Sequence, residues 1–107
     1  MTTLDPSDGY VVLINTFTVD AAKADELYRE LLEATEKGMK PRPGFVSANL
    51  HVSNDRTHVT NYAQWRSRAD IDAMMADPTA QAHMKRAADI AVSFEPIYYE
   101  LRDSVTV

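Results

Sequence analysis

The chain has 107 residues, the length of one domain, and its 45% apolar and 25% charged residues are ordinary globular values. Eleven Lys and Arg against sixteen Asp and Glu give a net charge of −5, which argues against a nucleic-acid or anionic-membrane surface. No apolar run approaches the roughly 20 residues a membrane span needs; the lack of cysteine excludes disulfides, thiolate catalysis and Cys-ligated zinc, and fits a cytoplasmic protein.

Residues 1–9 read as a flexible leader ending at Gly9, followed by a single domain over 10–107. Tyr10 to Val19 is rich in β-branched and aromatic residues, the composition of a strand, and its opening is apolar on both parities. Asp20 suits a helix N-cap, and Val19 can staple onto Ala24. From Ala21 to about Lys37, Ala24, Leu27, Tyr28, Leu31 and Leu32 recur at three- and four-residue spacing opposite a charged side, predicting an amphipathic helix. Gly38 is expected to end it, and Pro41-Arg42-Pro43-Gly44 forbids its continuation.

Phe45–Val52 and Thr57–Trp65 read as a hairpin around the turn Ser53-Asn54-Asp55-Arg56. Ser67 with Asp70 resembles a capping box, opening a short helix with Ile71, Met74 and Met75 on its apolar side. Asp77-Pro78 starts a further helical piece, expected to run to about Ser93 with Ala80, His83, Met84, Ala87 and Phe94 on one face. Glu95-Pro96 should break it before a last strand, Ile97–Leu101. The order β-α-β-β-α-β predicts a ferredoxin-like α+β fold, a four-stranded antiparallel sheet with helices on one face. The face left uncovered is also apolar and aromatic, so a homodimer packed through the sheet is expected.

Three positions carry residues unusual for their predicted elements. In Asn61-Tyr62-Ala63-Gln64-Trp65, period two puts Asn61, Ala63 and Trp65 on one face and Tyr62 and Gln64 on the other. A mid-strand Asn beside the one Trp suits a pocket wall, with a flat apolar surface and a directional donor and acceptor; a core Trp with a backbone-bonded Asn is the plainer reading. Asn15 shares the parity of Leu13 and Phe17, and marks either a bulge or the same cavity. His83, on the apolar side of the last helix, is either a satisfied core residue or a ligand or base. The three glycines are too scattered for a phosphate loop, no carboxylate pair lies among apolar residues, and three scattered histidines argue against a multi-His metal cage. An enzyme with this inventory would act on a substrate that brings its own reactivity, an electron-rich aromatic.

Pro43-Gly44-Phe45, Leu50-His51-Val52-Ser53, Asn61-Tyr62-Ala63-Gln64-Trp65 leading into Ser67, and Ala76-Asp77-Pro78 through Ala82-His83, in this order, resemble the antibiotic biosynthesis monooxygenase family over about residues 10–101. The resemblance implies a dimeric α+β barrel with a cavity between sheet and helices. It also implies oxidation of a phenolic or anthrone-type polyketide intermediate to a quinone by O2, with no metal, flavin or haem. Asn61 and Trp65 would line the pocket with His83 as a third catalytic candidate, and Asn15, His51, Tyr62, Ile71, Met74 and Met84 would bind substrate. The chain departs from that branch where Ile71 replaces a helix Tyr and Met84 stands nearest to a helix Arg. A haem-degrading branch of the superfamily, with Asn15 and His83 at matching places, is the alternative; a non-catalytic ligand-binding barrel is the third.

Overall fold

The computed structural model describes residues 1–107. The strands are β1 (Val11–Thr18), β2 (Phe45–Val52), β3 (His58–Trp65) and β4 (Ser93–Glu100); the helices are α1 (Ala24–Glu33), α2 (Arg68–Met75) and α3 (Pro78–Ile90). They form one antiparallel sheet in the order β2-β3-β1-β4. This is the expected ferredoxin-like α+β fold, with β2 and β4 as edges.

Local chemistry sets the helix ends. Ser67 Oγ accepts from the Asp70 backbone N–H (3.1 Å) and donates to Asp70 Oδ2 (2.9 Å), so the capping box closes through the two side chains. The Asp77 carboxylate accepts from the Ala80 N–H at 3.2 Å, with Pro78 in the first turn of α3. Gly44 has φ of 83°, and a Cβ there would collide with the Asp70 carboxylate, so the Pro-Gly turn and the α2 cap pack as one unit.

Two boundaries differ from expectation. α1 does not stop at Gly38: it continues as a π-helix over Ala34–Met39, where Thr35 Oγ1 donates to the Leu31 carbonyl at 2.8 Å. The wider turn carries the chain one residue past Gly38 and buries Met39. α3 ends at Ile90, and the last strand starts at Ser93, four residues before the expected Ile97. Phe94 is therefore a strand residue opposite Phe17, with ring centroids 5.7 Å apart, and Pro96 lies within β4 opposite Asn15. A proline is tolerated there because β4 is an edge strand.

The helix-facing side of the sheet carries two apolar clusters. One gathers Leu13, Met39, Ala63, Trp65, Ile71, Met74 and Ala80; the other gathers Phe17, Val19, Ala24, Leu27, Leu31, Val59 and Ala87. On β1, Asn15 separates Leu13 of the first from Phe17 of the second; on β3, Asn61 separates Ala63 from Val59. Asn15 and Asn61 face each other across the strands, so a polar pair marks the seam between the clusters. The other side of the sheet is partly covered by the N-terminal residues. Thr2 Oγ1 donates to Asn49 Oδ1 (2.7 Å) and Gln64 Nε2 donates to the Thr3 carbonyl (3.1 Å), so the leader, expected to be loose, is bonded to the sheet. No helix is long and apolar enough to cross a membrane.

Candidate active site

A cavity of about 390 Å³ opens at the seam. Its sheet wall is Leu13, Asn15 and Phe17 of β1, Asn61, Ala63 and Trp65 of β3, and Phe94 and Pro96 of β4. Its helix wall is Met39 from the π-helical turn, Met74 and Met75 of α2, and Ala80, Gln81 and Met84 of α3. Small residues at 63 and 80 leave the space between sheet and helices that larger side chains would fill. The volume is within the range of small-molecule pockets.

The lining is apolar except at a few atoms. Asn15 Oδ1, Asn61 Oδ1 and Trp65 Nε1 are buried and have no hydrogen-bond partner. A buried polar atom without a partner costs about 1–3 kcal/mol, so native folds seldom keep three together. Trp65 is fully buried and held edge-on by the Phe45 ring, centroids 5.4 Å apart at 86°. A bulge between Phe45 and Ser47 brings Phe45 opposite Trp65. The sheet wall of the cavity thus carries one indole and two carboxamides, with a third carboxamide, Gln81, in the helix wall, on an otherwise aromatic and thioether surface. No side chain in the wall is a base or a charged group.

Of the residues singled out from the sequence, Asn15, Asn61, Trp65, Met74 and Met84 line this cavity. Ile71 is fully buried in the cluster with Trp65 and does not reach the cavity surface. Tyr62 lies on the opposite face of the sheet, as strand parity requires, across from Ile14 and Asn49. His51 shares that face, paired with Thr60, and is exposed, with Nδ1 3.1 Å from the Asn49 carbonyl. Neither can touch a molecule in the cavity, because the sheet lies between.

His83 is buried but faces α1, outside the cavity wall. Its Nδ1 lies 3.2 Å from Glu30 Oε1 and 2.8 Å from Arg86 Nη2, while Arg86 Nε donates to Glu30 Oε1 at 3.0 Å. An iron ligand would need this imidazole in the cavity, so the residues present do not fit haem. No group of three His, Asp or Glu side chains converges as a metal site.

Met39, Met75, Gln81, Phe94 and Pro96 also line the cavity and were not foreseen. Phe94 and Pro96 follow from the β1–β4 register, and Met39 from the π-helical turn, neither of which hydrophobic spacing reveals. Met75 and Gln81 sit at the α2–α3 corner, where Gln81 Nε2 donates to the Met75 carbonyl at 3.1 Å.

Fold and cavity together define a small α+β protein with a mostly apolar cavity between its sheet and helices, polar along one seam of the sheet. Residues 10–86 match the antibiotic biosynthesis monooxygenase family, and the chain belongs to it. The chain is 42% identical over 104 residues to tetracenomycin-F1 monooxygenase of Streptomyces glaucescens, covering 97% of this chain and 92% of that one. It is also similar to the crystal structure of a monooxygenase from the gene ActVA-Orf6 of Streptomyces coelicolor in complex with nanaomycin D. There the TM-score is 0.78 at 28% identity, covering 96% of each chain. A conserved protein from Methanosarcina mazei Go1 shares the fold, with a TM-score of 0.79 at 12% identity over 91% of this chain and 97% of that one. The chain is accordingly a monooxygenase of this family.

Proposed function

We propose that the enzyme oxidises a phenolic, anthrone-type polycyclic polyketide intermediate to a quinone with O2, without metal, flavin or haem. The observation that carries this reading is the trio of unpartnered polar atoms, Asn15 Oδ1, Asn61 Oδ1 and Trp65 Nε1, in the wall of an otherwise apolar cavity. Similarity to monooxygenases named for tetracenomycin F1 and crystallised with nanaomycin D supports an aromatic polyketide as substrate.

The wall contains no base, so the substrate's own acidity starts the reaction: a phenol loses its proton to water at the cavity mouth. The Trp65 N–H and the Nδ2 hydrogens of Asn61 and Asn15 hold the phenolate oxygen, and the two unpartnered Oδ1 atoms accept from other hydroxyls of the substrate. The apolar surroundings strengthen those hydrogen bonds. The electron-rich ring carbon attacks O2 and forms a hydroperoxide. Loss of water across its C–H and O–OH bonds leaves a carbonyl, so a CH2 and one O2 become C=O and one water. His83 acts through the packing of α1 on α3, and Asn15 and Asn61 through the substrate. A second copy of the chain is proposed to cover the open face, where Ile97 and Tyr99 of β4 are exposed; light scattering should then give twice the 12.0 kDa chain mass.

The test is oxygen uptake with a hydroxylated anthrone, no added cofactor and chelator present. One O2 per quinone is expected, with a pH profile that moves with the phenol pKa of the substrate. Asn61→Ala and Trp65→Phe should each lower kcat/KM by about 10- to 100-fold, while His83→Gln stays within about threefold. Absence of uptake, or a loss in His83→Gln equal to that in Asn61→Ala, would overturn the proposal.

A further inference from the structure

Four of the five methionines, Met39, Met74, Met75 and Met84, line one cavity; the fifth, Met1, is exposed. They come from three separate segments, the π-helical turn, α2 and α3, so the clustering is a property of the folded site and not of a local sequence bias. They also form a gradient: Met74 and Met39 are buried, Met84 is half-buried, and Met75 is 41% exposed. All four belong to the helix wall, which faces the sheet wall that carries Asn15, Asn61 and Trp65. Any molecule held by those polar atoms lies between them and a surface of thioethers.

We infer that the helix wall is a hydroperoxide-reducing surface: its methionines take one oxygen atom from an organic hydroperoxide formed in, or entering, the cavity. Thioether sulfur is the most easily oxidised group in the wall and reacts with hydroperoxides by two-electron oxygen transfer. The O–O bond breaks, an S–O bond forms at Sδ, and the hydroperoxide leaves as the corresponding alcohol. Sulfur goes up two oxidation levels, the peroxide goes down two, and the hydroperoxide proton moves from the transferred oxygen to the departing alcohol oxygen. The source of the peroxide rests on the function proposed above: an intermediate that fails to lose water is confined beside these sulfurs, where proximity replaces high concentration. The modification has a consequence at the same site. Each sulfoxide turns a flexible apolar side chain into a polar one, so a site that often stalls loses affinity for its aromatic substrate until the sulfoxide is reduced.

The test compares two oxidants on the wild-type protein, with N-acetylmethionine in the same solution as the solvent reference. Hydrogen peroxide should oxidise the reference ahead of buried Met39 and Met74 and half-buried Met84, because a strongly hydrated oxidant stays in water rather than in an apolar cavity. Cumene hydroperoxide, apolar and bulky, should do the reverse by entering the cavity. Peptide mass spectrometry, reading about 16 Da per oxygen atom, should show the cavity-to-reference sulfoxide ratio rising about tenfold between the oxidants. Buried methionines with no accessible cavity would react even less with the bulkier oxidant, so a ratio that falls or stays flat overturns the inference. A second arm follows turnover of the anthrone under O2 with catalase present. Sulfoxide at Met39, Met74 or Met84 with the reference intact supports the link to the reaction, and quinone formation without any cavity sulfoxide overturns that link. Failure of quinone formation itself overturns the proposed function, and the two-oxidant comparison then decides the thioether surface by itself.

Discussion

The two faces of the sheet treat carboxamides in opposite ways. On the open face, Asn49 Nδ2 donates to the Tyr62 carbonyl (3.0 Å) and its Oδ1 accepts from Thr2. Gln64, although only 2% exposed, accepts from Ser47 Oγ (2.7 Å) and donates to the Thr3 carbonyl. On the cavity face, Asn61, three residues before Gln64 on β3, and its neighbour Asn15 on β1 are also buried, and their amide oxygens have no partner. The chain clearly can satisfy an amide at this depth. Two such amide oxygens and an indole N–H are left open on the cavity face, the pattern expected of a binding wall rather than a core.

The strongest way to break this comparison is to remove an amide from each face. Asn61→Leu keeps the volume and better suits a strand, and nothing in the protein loses a hydrogen bond. Its stability in urea should be unchanged or higher by about 1 kcal/mol, while kcat/KM falls about 100-fold because the substrate oxygen loses its partner. A variant that loses 2 kcal/mol or more, on the order of a broken buried network, would show that Asn61 is structural after all.

Gln64→Leu sharpens the contrast from the other side. It leaves Ser47 Oγ and the Thr3 carbonyl short of a partner and frees the N-terminal residues from the sheet. A loss of about 1–3 kcal/mol is expected, with kcat/KM within about threefold of wild type, since the side chain faces away from the cavity. Equal activity losses in Asn61→Leu and Gln64→Leu would mean that the two faces do not divide the work.

How far the site could be read from sequence follows from what sets each position. Asn61, Ala63 and Trp65 share a face through strand parity alone, and Asn15 joins them once β1 is a strand, so the polar wall was legible. Helical spacing put Met74 and Met84 on apolar faces, and the family resemblance assigned them to the substrate. The same parity that grouped Asn61 with Trp65 already placed Tyr62 on the far side, so its assignment to the substrate had no geometric basis. His51 needed the β2–β3 register, which the bulge after Phe45 shifts by one. Glu95-Pro96 read as the break after the last helix, because a proline interrupts a helix. That Pro96 instead lies within β4 is possible because β4 is an edge strand, which depends on the whole topology. Met39 lay past a glycine that should have ended α1, and the π-helical turn that carries it into the cavity leaves no period in the sequence. His83 showed an apolar helix face but not which neighbour it faces: α1, with Glu30, lies there.

The smallest effect concerns a polar group at the satisfied extreme. Asp55, in the β2–β3 turn, accepts from Ser53 Oγ, the Thr57 N–H and Thr57 Oγ1. These hydrogen bonds, those from Thr57 first, hold its pKa at about 2, below the ordinary 3.8. Because the folded pKa lies below the unfolded one, the carboxylate contributes stability that is complete above about pH 4 and is lost as pH falls toward 2. Asp55→Asn should therefore lower Tm slightly at pH 5, and the gap to wild type should close between pH 4 and 2 as the native carboxylate protonates. A gap that stays constant with pH would assign the effect to turn geometry rather than charge. Oxygen uptake at neutral pH should not change, because Asp55 lies in a turn outside the cavity and its Oδ1 is committed to that turn, the reverse of Asn15 and Asn61.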